Sequence, residues 1–458
     1  MRKLKFCCIA LIGLYSQIAL GQQSIDAYIT DSTKNTFVLI ANSTNSLVSP
    51  VDLDFYPDQT TRPNELWILN QGTNSTGGST AIIFNPNQSS RTYKYIKDGN
   101  AWHFMAMASA MAFGDSNWAT AQDIVDANRQ GGTYTGPTLW PGDLSIYGVV
   151  GNPSTPTENG SHLSMIHQTP YGKGIAFEKN NVFWVLDGYE GNIKRYDFGN
   201  PHEPGGDDHS GGGVQVYSDF KFTKHATLPG HIIIDGGRKY LYGCDPVGKR
   251  IFRIDITSGT NSGTRTKING ESLSLGYVTY TGLVKVDTLI NGLKTPVGID
   301  VYGNRLIVTD NGTDEVIIFD IINDYKEVGR IKLNYVANPD PMGVKVGPDG
   351  KIYFVDKTNR RAYMIENSSV LPTAIKPIWA TNNKLDLFPN PANNQITLQA
   401  GSEFLNAEII ILNALGETVL TQSTNNGLNV DIGALSNGIY FVQILSNNKF
   451  YNQKFIKQ

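Results

Sequence analysis

The sequence predicts an all-β protein: a six-bladed β-propeller followed by a small C-terminal β-sandwich. Three observations carry this prediction. Openings of the form Pro-x-Gly followed by apolar residues recur along the middle of the chain, the 458 residues include 47 glycines but only 17% charged residues, and short alternating strand patterns fill the chain after residue 384. The formal net charge of -3 offers no basic surface for nucleic acid or an anionic membrane.

Residues 1 to 21 have the pattern of a secretory signal peptide, with a basic start, an apolar run and small residues before a cut near Gly21. A membrane anchor is the weaker alternative, because the apolar run is shorter than the ~20 residues that span a bilayer. Cys7 and Cys8 lie inside the run instead of at its end, which argues against a lipoprotein. The mature chain then keeps Cys244 alone, within a strand pattern that predicts a buried, inert thiol.

A strand-like run from Asn35 to Ile40 precedes the first repeat. An open blade edge would leave unpaired backbone groups, so we expect this run to complete the last blade and close the ring.

Six strand openings predict six blades: PVDLDF at 50, MASAMAF at 107, PYGKGIAF at 170, PGHIIID at 229, PVGIDV at 296 and PMGVKV at 341. The second strands of four blades end in an acid, and these are Asp187, Asp245, Asp310 and Asp356. A ring of carboxylates is one interpretation of them. The other, which we adopt, is that each Asp caps the turn that follows its strand.

The pattern P-x-G-I-x-V, then a strand, an Asp, a polar turn and another strand, resembles the NHL repeat, whose proteins form six-bladed propellers. The resemblance covers residues 50 to 370 and is best in the last four blades. It implies a propeller domain at 22 to 370, with a linker at 371 to 384.

The region from 99 to 231 departs from this regularity and contains long insertions. We expect a short helix from Thr120 to Asn128, and loops that cover one face of the propeller. Loops longer than ~12 residues in a compact domain are usually functional or disordered, and Trp102, Trp118 and Trp140 favour order.

All seven histidines lie in this region: His103, His162, His167, His202, His209, His225 and His231. Three of them, His103, His167 and His231, stand at or just before blade openings. The innermost strands begin at one end of the central channel, so these three imidazoles are expected to converge. Three converging imidazoles bind a divalent metal such as zinc and leave a coordination position open.

A Gly-rich loop at 201 to 213 offers a second candidate metal site, formed by His202, Asp207, Asp208 and His209. Its spacing matches no established metal motif, and a solvated polar loop is the alternative.

The channel-facing histidines resemble the lyase domain of peptidylglycine amidating enzymes, which is an NHL propeller with zinc held by one His from each of three blades. The segment PGHIIID approaches that family's P-H-G opening, with His231 one place late. By neighbourhood, Arg195, Tyr196 and Tyr171 are the candidates for the catalytic Arg and Tyr that this resemblance implies.

Residues 385 to 458 resemble the type A C-terminal sorting domain of the type IX secretion system of Bacteroidota. The features that carry the resemblance are Pro389-Asn390-Pro391, NALGETV with Gly416, and LSNGIY with Gly438 and Tyr440. The resemblance implies an immunoglobulin-like sandwich that is recognised by the secretion machinery. It also implies Sec export, passage through the outer membrane, and a final location at the cell surface or outside the cell.

Two functions remain open from the sequence. The first is a non-enzymatic propeller that binds an extracellular ligand; the second is a metal-dependent lyase or hydrolase that uses the histidines. No G-x-S-x-G or phosphate-binding loop is present. Whether the protein is an enzyme is therefore not decided by the sequence, although the lack of a catalytic motif favours the binding module.

Overall fold

A computed structural model describes residues 24–149, 159–237, 239–369, 383–384, 386–399, 408–413, 418–423, 428–446 and 449–458. Its first thirteen strands are β1 (Asn35–Ala41), β2 (Pro50–Phe55), β3 (Glu65–Thr73), β4 (Gly77–Phe84), β5 (Thr92–Ile96), β6 (Ala108–Phe113), β7 (Asn117–Gln122), β8 (Thr138–Pro141), β9 (Ser164–Met165), β10 (Gly172–Lys179), β11 (Val182–Asp187), β12 (Asn192–Asp197) and β13 (Gly213–Tyr217). The next thirteen are β14 (Ile232–Ile234), β15 (Tyr240–Asp245), β16 (Arg250–Asp255), β17 (Thr260–Thr264), β18 (Tyr277–Thr281), β19 (Lys285–Ile290), β20 (Pro296–Tyr302), β21 (Arg305–Asp310), β22 (Glu315–Asp320), β23 (Lys326–Lys332), β24 (Pro341–Val346), β25 (Ile352–Asp356) and β26 (Arg361–Asn367).

The C-terminal strands are β27 (Asn383–Lys384), β28 (Asp386–Phe388), β29 (Gln395–Gln399), β30 (Glu408–Asn413), β31 (Thr418–Ser423), β32 (Asn429–Asp431), β33 (Gly438–Ser446) and β34 (Lys449–Lys457). The described helices are short: α1 (Ala27–Thr30), α2 (Ala101–Phe104), and 3-10 turns at Ser24–Asp26, Ser32–Lys34 and Ser43–Asn45. None of them is long and apolar enough to cross a membrane.

Six sheets between residues 35 and 367 form a ring. Their strand orders are β2-β3-β4-β5, β6-β7-β8-β9, β10-β11-β12-β13-β18-β17, β14-β15-β16-β19, β20-β21-β22-β23 and β24-β25-β26-β1. The first-named strands of successive sheets contact one another in this order, from β2 through β6, β10, β14 and β20 to β24, which returns to β2. The predicted all-β propeller fold is therefore confirmed.

The ring closes through a strand from the beginning of the chain. β1 pairs antiparallel with β26, with Asn35 opposite Asn367, as the sequence predicted for this run. Ahead of it, the carboxylate of Asp26 accepts two bonds from the guanidinium of Arg305, of 2.8 and 2.7 Å. The N-terminal segment thereby also contacts the sheet of β20 to β23. We call Asp26 with β1 the closing segment.

Apolar clusters fill the spaces between neighbouring sheets, because the strand patterns place aliphatic and aromatic side chains on both faces of each sheet. Trp67 and Trp118 are fully buried between the first two sheets, where their rings pack edge to face at 5.4 Å. Phe183 and Trp184 are likewise buried. These aromatic side chains are core residues, as expected, and not a ligand platform.

The four strand-end aspartates cap turns, as predicted. The carboxylate of Asp187 accepts from the Tyr189 amide at 2.7 Å, that of Asp245 from Gly248 at 2.7 Å, that of Asp310 from Gly312 at 3.0 Å, and that of Asp356 from Asn359 at 3.0 Å.

The prediction of a short helix from Thr120 to Asn128 is wrong. Strand β7 continues to Gln122, and the chain then turns around Asp126. The carboxylate of Asp126 accepts hydrogen bonds from the amides of residues 128 to 132, at 2.8 to 3.1 Å. An Asp side chain that bonds to nearby amides offers the backbone an alternative to a helix, and here that alternative is adopted.

The described C-terminal strands form two sheets, ordered β27-β34-β33-β30-β31 and β28-β29-β32. A shared cluster that includes Ile396, Val442 and Phe455 lies between them, so a sandwich is formed. The side-chain oxygen of Asn390 accepts a hydrogen bond of 3.0 Å from the Ile456 amide. The Tyr440 hydroxyl donates to the Ser436 carbonyl at 2.8 Å. The signal peptide, most of the linker and Gly416 lie outside the described residues.

Candidate histidine site

Five histidines come together between the second and third sheets of the ring. His103 lies on α2 just before β6, and His162 and His167 flank the two-residue strand β9. His202 and His209 lie on the loop between β12 and β13. This loop is attached to the β9 segment by backbone bonds, from the Gly205 amide to the His162 carbonyl at 2.9 Å and from the Asn159 amide to the Gly205 carbonyl at 3.0 Å.

Three of these imidazoles form a compact trio. One ring nitrogen from each of His162, His202 and His209 lies within 4.8 Å of the others. The ring centroids are 4.9 Å apart for His162 and His202, 5.5 Å for His162 and His209, and 5.0 Å for His202 and His209. Nitrogens that are ~2.0–2.1 Å from one zinc ion are themselves only a few ångströms apart, so the trio is close to a ligand set.

The remaining two imidazoles adjoin the trio. His103 and His167 stack with centroids 5.7 Å apart and planes inclined by 26°. The ring of His167 is 5.9 Å from that of His209. Phe104 separates His103 from the trio, because its ring stacks on His162 at 3.5 Å and meets His103 at 4.3 Å.

Oxygen atoms behind the rings fix how three of the imidazoles point. Nδ1 of His162 faces the Asn159 carbonyl at 2.9 Å, and Nδ1 of His202 faces the Glu203 carbonyl at 2.6 Å. Nδ1 of His167 faces the Glu271 carboxylate at 3.0 Å. A nitrogen facing an oxygen must donate, so the other nitrogen, Nε2, carries the lone pair in each neutral ring. In the described chain these three Nε2 atoms are buried and have no hydrogen-bond partner.

His209 is held differently. Its Nδ1 accepts a bond of 3.0 Å from the Met165 amide, so the proton of the neutral ring is on Nε2. His209 cannot bind a metal and keep this bond. If Nδ1 binds the metal, its lone pair is no longer available to the Met165 amide. If Nε2 binds the metal, Nδ1 carries the proton and cannot accept. Metal binding at the trio therefore requires the Met165 amide to release His209.

Glu271, which contacts His167, lies in a distant part of the sequence. The hairpin of β17 and β18 is inserted between β16 and β19, and β18 pairs in parallel with β13 at the outer side of the neighbouring sheet. Its connecting segment bonds to the site at several points. The Glu271 carboxylate accepts a hydrogen bond from the His167 amide at 2.9 Å, and the Ile268 amide donates to the Gln168 side chain at 2.8 Å. The insertion thus covers and orients His167.

Burial keeps the imidazoles of His103, His162 and His209 neutral, because desolvation disfavours the charged ring. It lowers the pKa of His103 to about 4, that of His162 to about 2 and that of His209 to about 3, with the neighbouring histidines adding to the effect. A neutral imidazole is the form that binds a metal, so the site is ready for one at neutral pH.

These pKa values predict acid sensitivity of the metal-free protein. The folded-state pKa of His162 lies below the ordinary 6.5, so the unfolded chain takes up this proton first as the pH falls. The free energy of unfolding is therefore highest above pH 6.5. It falls as the pH drops below that value, by on the order of 3 kcal/mol at pH 4 from His162 alone. Urea denaturation in chelator from pH 7.5 to 4 should show a smaller decline for His162→Gln; equal declines would contradict the prediction.

The structure does not bring His231 to the other candidates. Its Nε2 is 3.1 Å from the Ser109 carbonyl, and its Nδ1 is 3.5 Å from the Asp52 carboxylate on β2. The expected trio of His103, His167 and His231 is therefore not formed. His231 directly precedes β14, but its side chain bonds to β6 and β2, which belong to the second and first sheets of the ring.

The other candidates also lie apart from the cluster or at its edge. Asp208 is exposed and caps its own turn through the Ser210 amide at 2.9 Å, and Asp207 bonds to the Asn159 side chain. Arg195 is paired with Glu178 at 2.6 Å, and Tyr196 is fully buried against Thr169. Tyr171 lies under the Lys224 ammonium at 4.3 Å.

Cys244 is buried, as expected, and burial raises the pKa of its thiol, which leaves it unreactive.

Sequence reasoning missed His162 and Glu271. The count of histidines between 99 and 231 included His162, but nothing local marks it, since it belongs to no blade opening and to no acidic loop. Glu271 lies 104 residues from its partner His167.

Comparison with known proteins gives a match at the C-terminal end. Residues 386–458 match the family described as the secretion system C-terminal sorting domain. A search of curated protein sequences finds no significant match to the chain.

Several solved structures are similar to the chain. An auxiliary nutrient binding protein from Bacteroides ovatus aligns at 11% identity with a TM-score of 0.45, over 73% of this chain and 76% of that chain. A virginiamycin B lyase from Staphylococcus aureus aligns at 11% identity with a TM-score of 0.40, over 72% of this chain and 99% of that chain. PorZ, a surface component of the type-IX secretion system of Porphyromonas gingivalis, aligns at 12% identity with a TM-score of 0.33, over 86% of this chain and 58% of that chain.

At these identities the structural similarities concern the fold alone. The C-terminal match is informative about destination: with its sorting domain, the protein is one that type IX secretion delivers to the cell surface or the extracellular space.

Proposed function

We propose that this secreted propeller is an extracellular binding module that holds a divalent transition metal in its histidine cluster and uses the metal to bind its ligand. One observation carries the proposal: ring nitrogens of His162, which is buried, and of His202 and His209, which are partly buried, lie within 4.8 Å of one another. Imidazole nitrogens suit zinc, copper and nickel, whereas calcium and magnesium prefer oxygen ligands. The cofactor is therefore expected to be a metal such as zinc.

The oxygens behind the rings support the same proposal. Metal-binding histidines characteristically donate their second N–H to a carbonyl or carboxylate, which fixes the tautomer and the ring orientation. His162 and His202 already have this arrangement without a metal. A lone pair that is buried without a partner is costly, at about 1 to 3 kcal/mol for each polar group, and a bound metal would remove that cost.

Elemental analysis of the purified mature chain tests the proposal. After production in metal-replete medium, we expect at least one equivalent of transition metal in the wild type and its loss in His162→Ala/His202→Ala. His225→Ala is the matched control, because this partly exposed histidine only caps a turn through the Thr227 and Leu228 amides at 3.2 and 3.1 Å. A wild-type protein without stoichiometric metal would refute the proposal.

The Met165 amide provides a local readout of the same event. The chain contains seven methionines, so selective 15N-methionine labelling gives few amide signals. Metal addition should shift the Met165 signal, because His209 can no longer accept its hydrogen bond. Met364, which is buried in the last sheet, serves as a reference signal that should not move.

A metal-dependent lyase or hydrolase is the second candidate. The observation that favours it is the carboxylate-oriented imidazole of His167 beside the trio, since pairs of this kind act as general bases near an activated water. The two candidates differ in what becomes of the ligand. A binding module releases it unchanged, whereas an enzyme converts it in the presence of metal.

We also infer the domain organisation that surrounds this site. It consists of a signal peptide at 1 to 21, an NHL-type propeller at 22 to 370, a linker at 371 to 384 and the sorting domain at 385 to 458. The Pro-x-Gly openings and the turn-capping aspartates support the NHL assignment, and the matched family at 386–458 supports the last boundary. The sorting domain serves as an address and takes no part in ligand binding.

A further inference from the structure

Not all of the unpartnered ring nitrogens belong to the trio. In the described chain, buried nitrogens without a hydrogen-bond partner occur on four of the five imidazoles: Nε2 of His162, His167 and His202, and Nδ1 of His103. The second nitrogen of His103 faces the backbone of Ala127, and that of His167 faces Glu271. His103 and His167 therefore present lone pairs to the interior, as His162 and His202 of the trio do.

These two imidazoles lie to one side of the trio, where they stack on each other. Rings that bind one ion through nitrogens ~2.0–2.1 Å away have centroids roughly 5 Å apart, as the rings of the trio do. His103 is separated from His162 by the intervening ring of Phe104. Ring contact between this pair and the trio is made in the described chain by His167 and His209, at 5.9 Å.

We propose that His103 and His167 hold a second metal ion, so that the cluster is a two-metal site. The proposal rests on the proposed function, since it extends the same cluster. His103 Nδ1 and His167 Nε2 supply two imidazole ligands, and the Glu271 carboxylate supports His167 from behind. His209 lies between the two positions. Ligands from the extracellular medium complete the coordination of the second ion.

The preferred exogenous ligand follows from this arrangement. Two neighbouring divalent cations with neutral imidazole ligands carry more positive charge than the one Glu271 carboxylate offsets, and paired metal ions clamp a ligand through its oxygen atoms. We therefore expect an oxyanion, such as a carboxylate or a phosphate group, to bridge or neighbour the ions. Exposed rings at Trp102 and Tyr134, which contact His103 and His167, give such a ligand an apolar surface to pack on.

Metal stoichiometry separates this inference from the proposed function. The full mature chain, loaded with zinc and freed of excess metal, should contain two equivalents. His103→Gln/His167→Gln should retain one, and its unchanged thermal unfolding in chelator would show that it folds. One equivalent in the wild type would overturn the second site while leaving the proposed function intact; no bound metal would overturn both.

Copper loading gives an independent measurement of the same pairing. Two Cu²⁺ ions in adjoining sites couple magnetically, so the electron paramagnetic resonance spectrum should show a half-field transition and a reduced main signal. The half-field signal should disappear in His103→Gln/His167→Gln while one copper remains. A spectrum of isolated copper ions in protein that contains two equivalents would overturn the paired site. Added phosphate should perturb the coupled spectrum, and an unchanged spectrum would overturn the oxyanion assignment.

Discussion

Removal of residues 385 to 458 is expected to abolish secretion, so that the remaining chain accumulates in the periplasm. The reason is that the matched sorting family occupies this segment, whereas the predicted signal peptide provides only for crossing the inner membrane. Fractionation of cells that produce the full and truncated chains, with immunoblots of periplasm, cell surface and medium, measures the outcome. The expected change is a complete shift between compartments.

Two controls make this result specific. A chain that carries Arg330→Ala in the propeller should be secreted normally, because the change leaves the sorting domain untouched. Residues 371 to 458, fused to an unrelated exported reporter, should carry it out of the cell. Secretion of the truncated chain at the level of the full chain would contradict the role of the domain.

Arg305→Ala is expected to destabilise the propeller by about 3 to 5 kcal/mol, which is the typical cost of breaking a buried ion pair by removing one partner. Arg305 is 8% exposed and Asp26 is 6% exposed, and their paired bonds of 2.8 and 2.7 Å anchor the closing segment to the ring. The same guanidinium contacts Asp320 at 3.0 Å. Its removal leaves two carboxylates without a cation and releases the segment that closes the ring.

Urea denaturation followed by tryptophan fluorescence measures this effect, since Trp67, Trp118, Trp140 and Trp184 are buried in the propeller. Arg330→Ala is the matched control on the same sheet: Arg330 also binds two carboxylates, Glu315 at 3.0 Å and Glu327 at 2.8 Å, but its side chain is 35% exposed. Surface pairs contribute about 0 to 1 kcal/mol, so this variant should stay near wild type. Equal decreases in the free energy of unfolding of the two variants would contradict the prediction that the buried ion pair contributes more stability than the exposed one.

The architecture could be predicted because the last four sheets of the ring repeat the same local chemistry. An opening with Pro or Gly, an apolar second strand and an Asp that caps the next turn are all visible in a few consecutive residues. The closing run at Asn35 to Ile40 was predictable for a different reason, since an open ring would leave a sheet edge unpaired. The helix expected near Thr120 failed because Asp126 satisfies five backbone amides and so stabilises a turn.

The candidate site could be predicted only in part. The concentration of histidines in one third of the chain indicated where imidazoles could meet, and His103, His167, His202 and His209 do come together there. Their partners depend on contacts between sheets, which no local pattern encodes. His162 is placed by its backbone bond with Gly205, and Glu271 by the inserted hairpin, whereas His231 is turned toward Asp52.

The closing segment has a consequence for how the exported chain is processed. β1 pairs with β26, the last strand of the ring, so the N-terminal and C-terminal ends of the propeller both extend from the same sheet. A protease that cuts between 371 and 384 removes the sorting domain and leaves β26 paired, and the released propeller stays intact. A cut after Asp26 at the other end would remove the ion pair with Arg305. The fold therefore tolerates cleavage after the C-terminal end of the propeller. At the N-terminal end, a cut that keeps the ion pair with Arg305 has to precede Asp26.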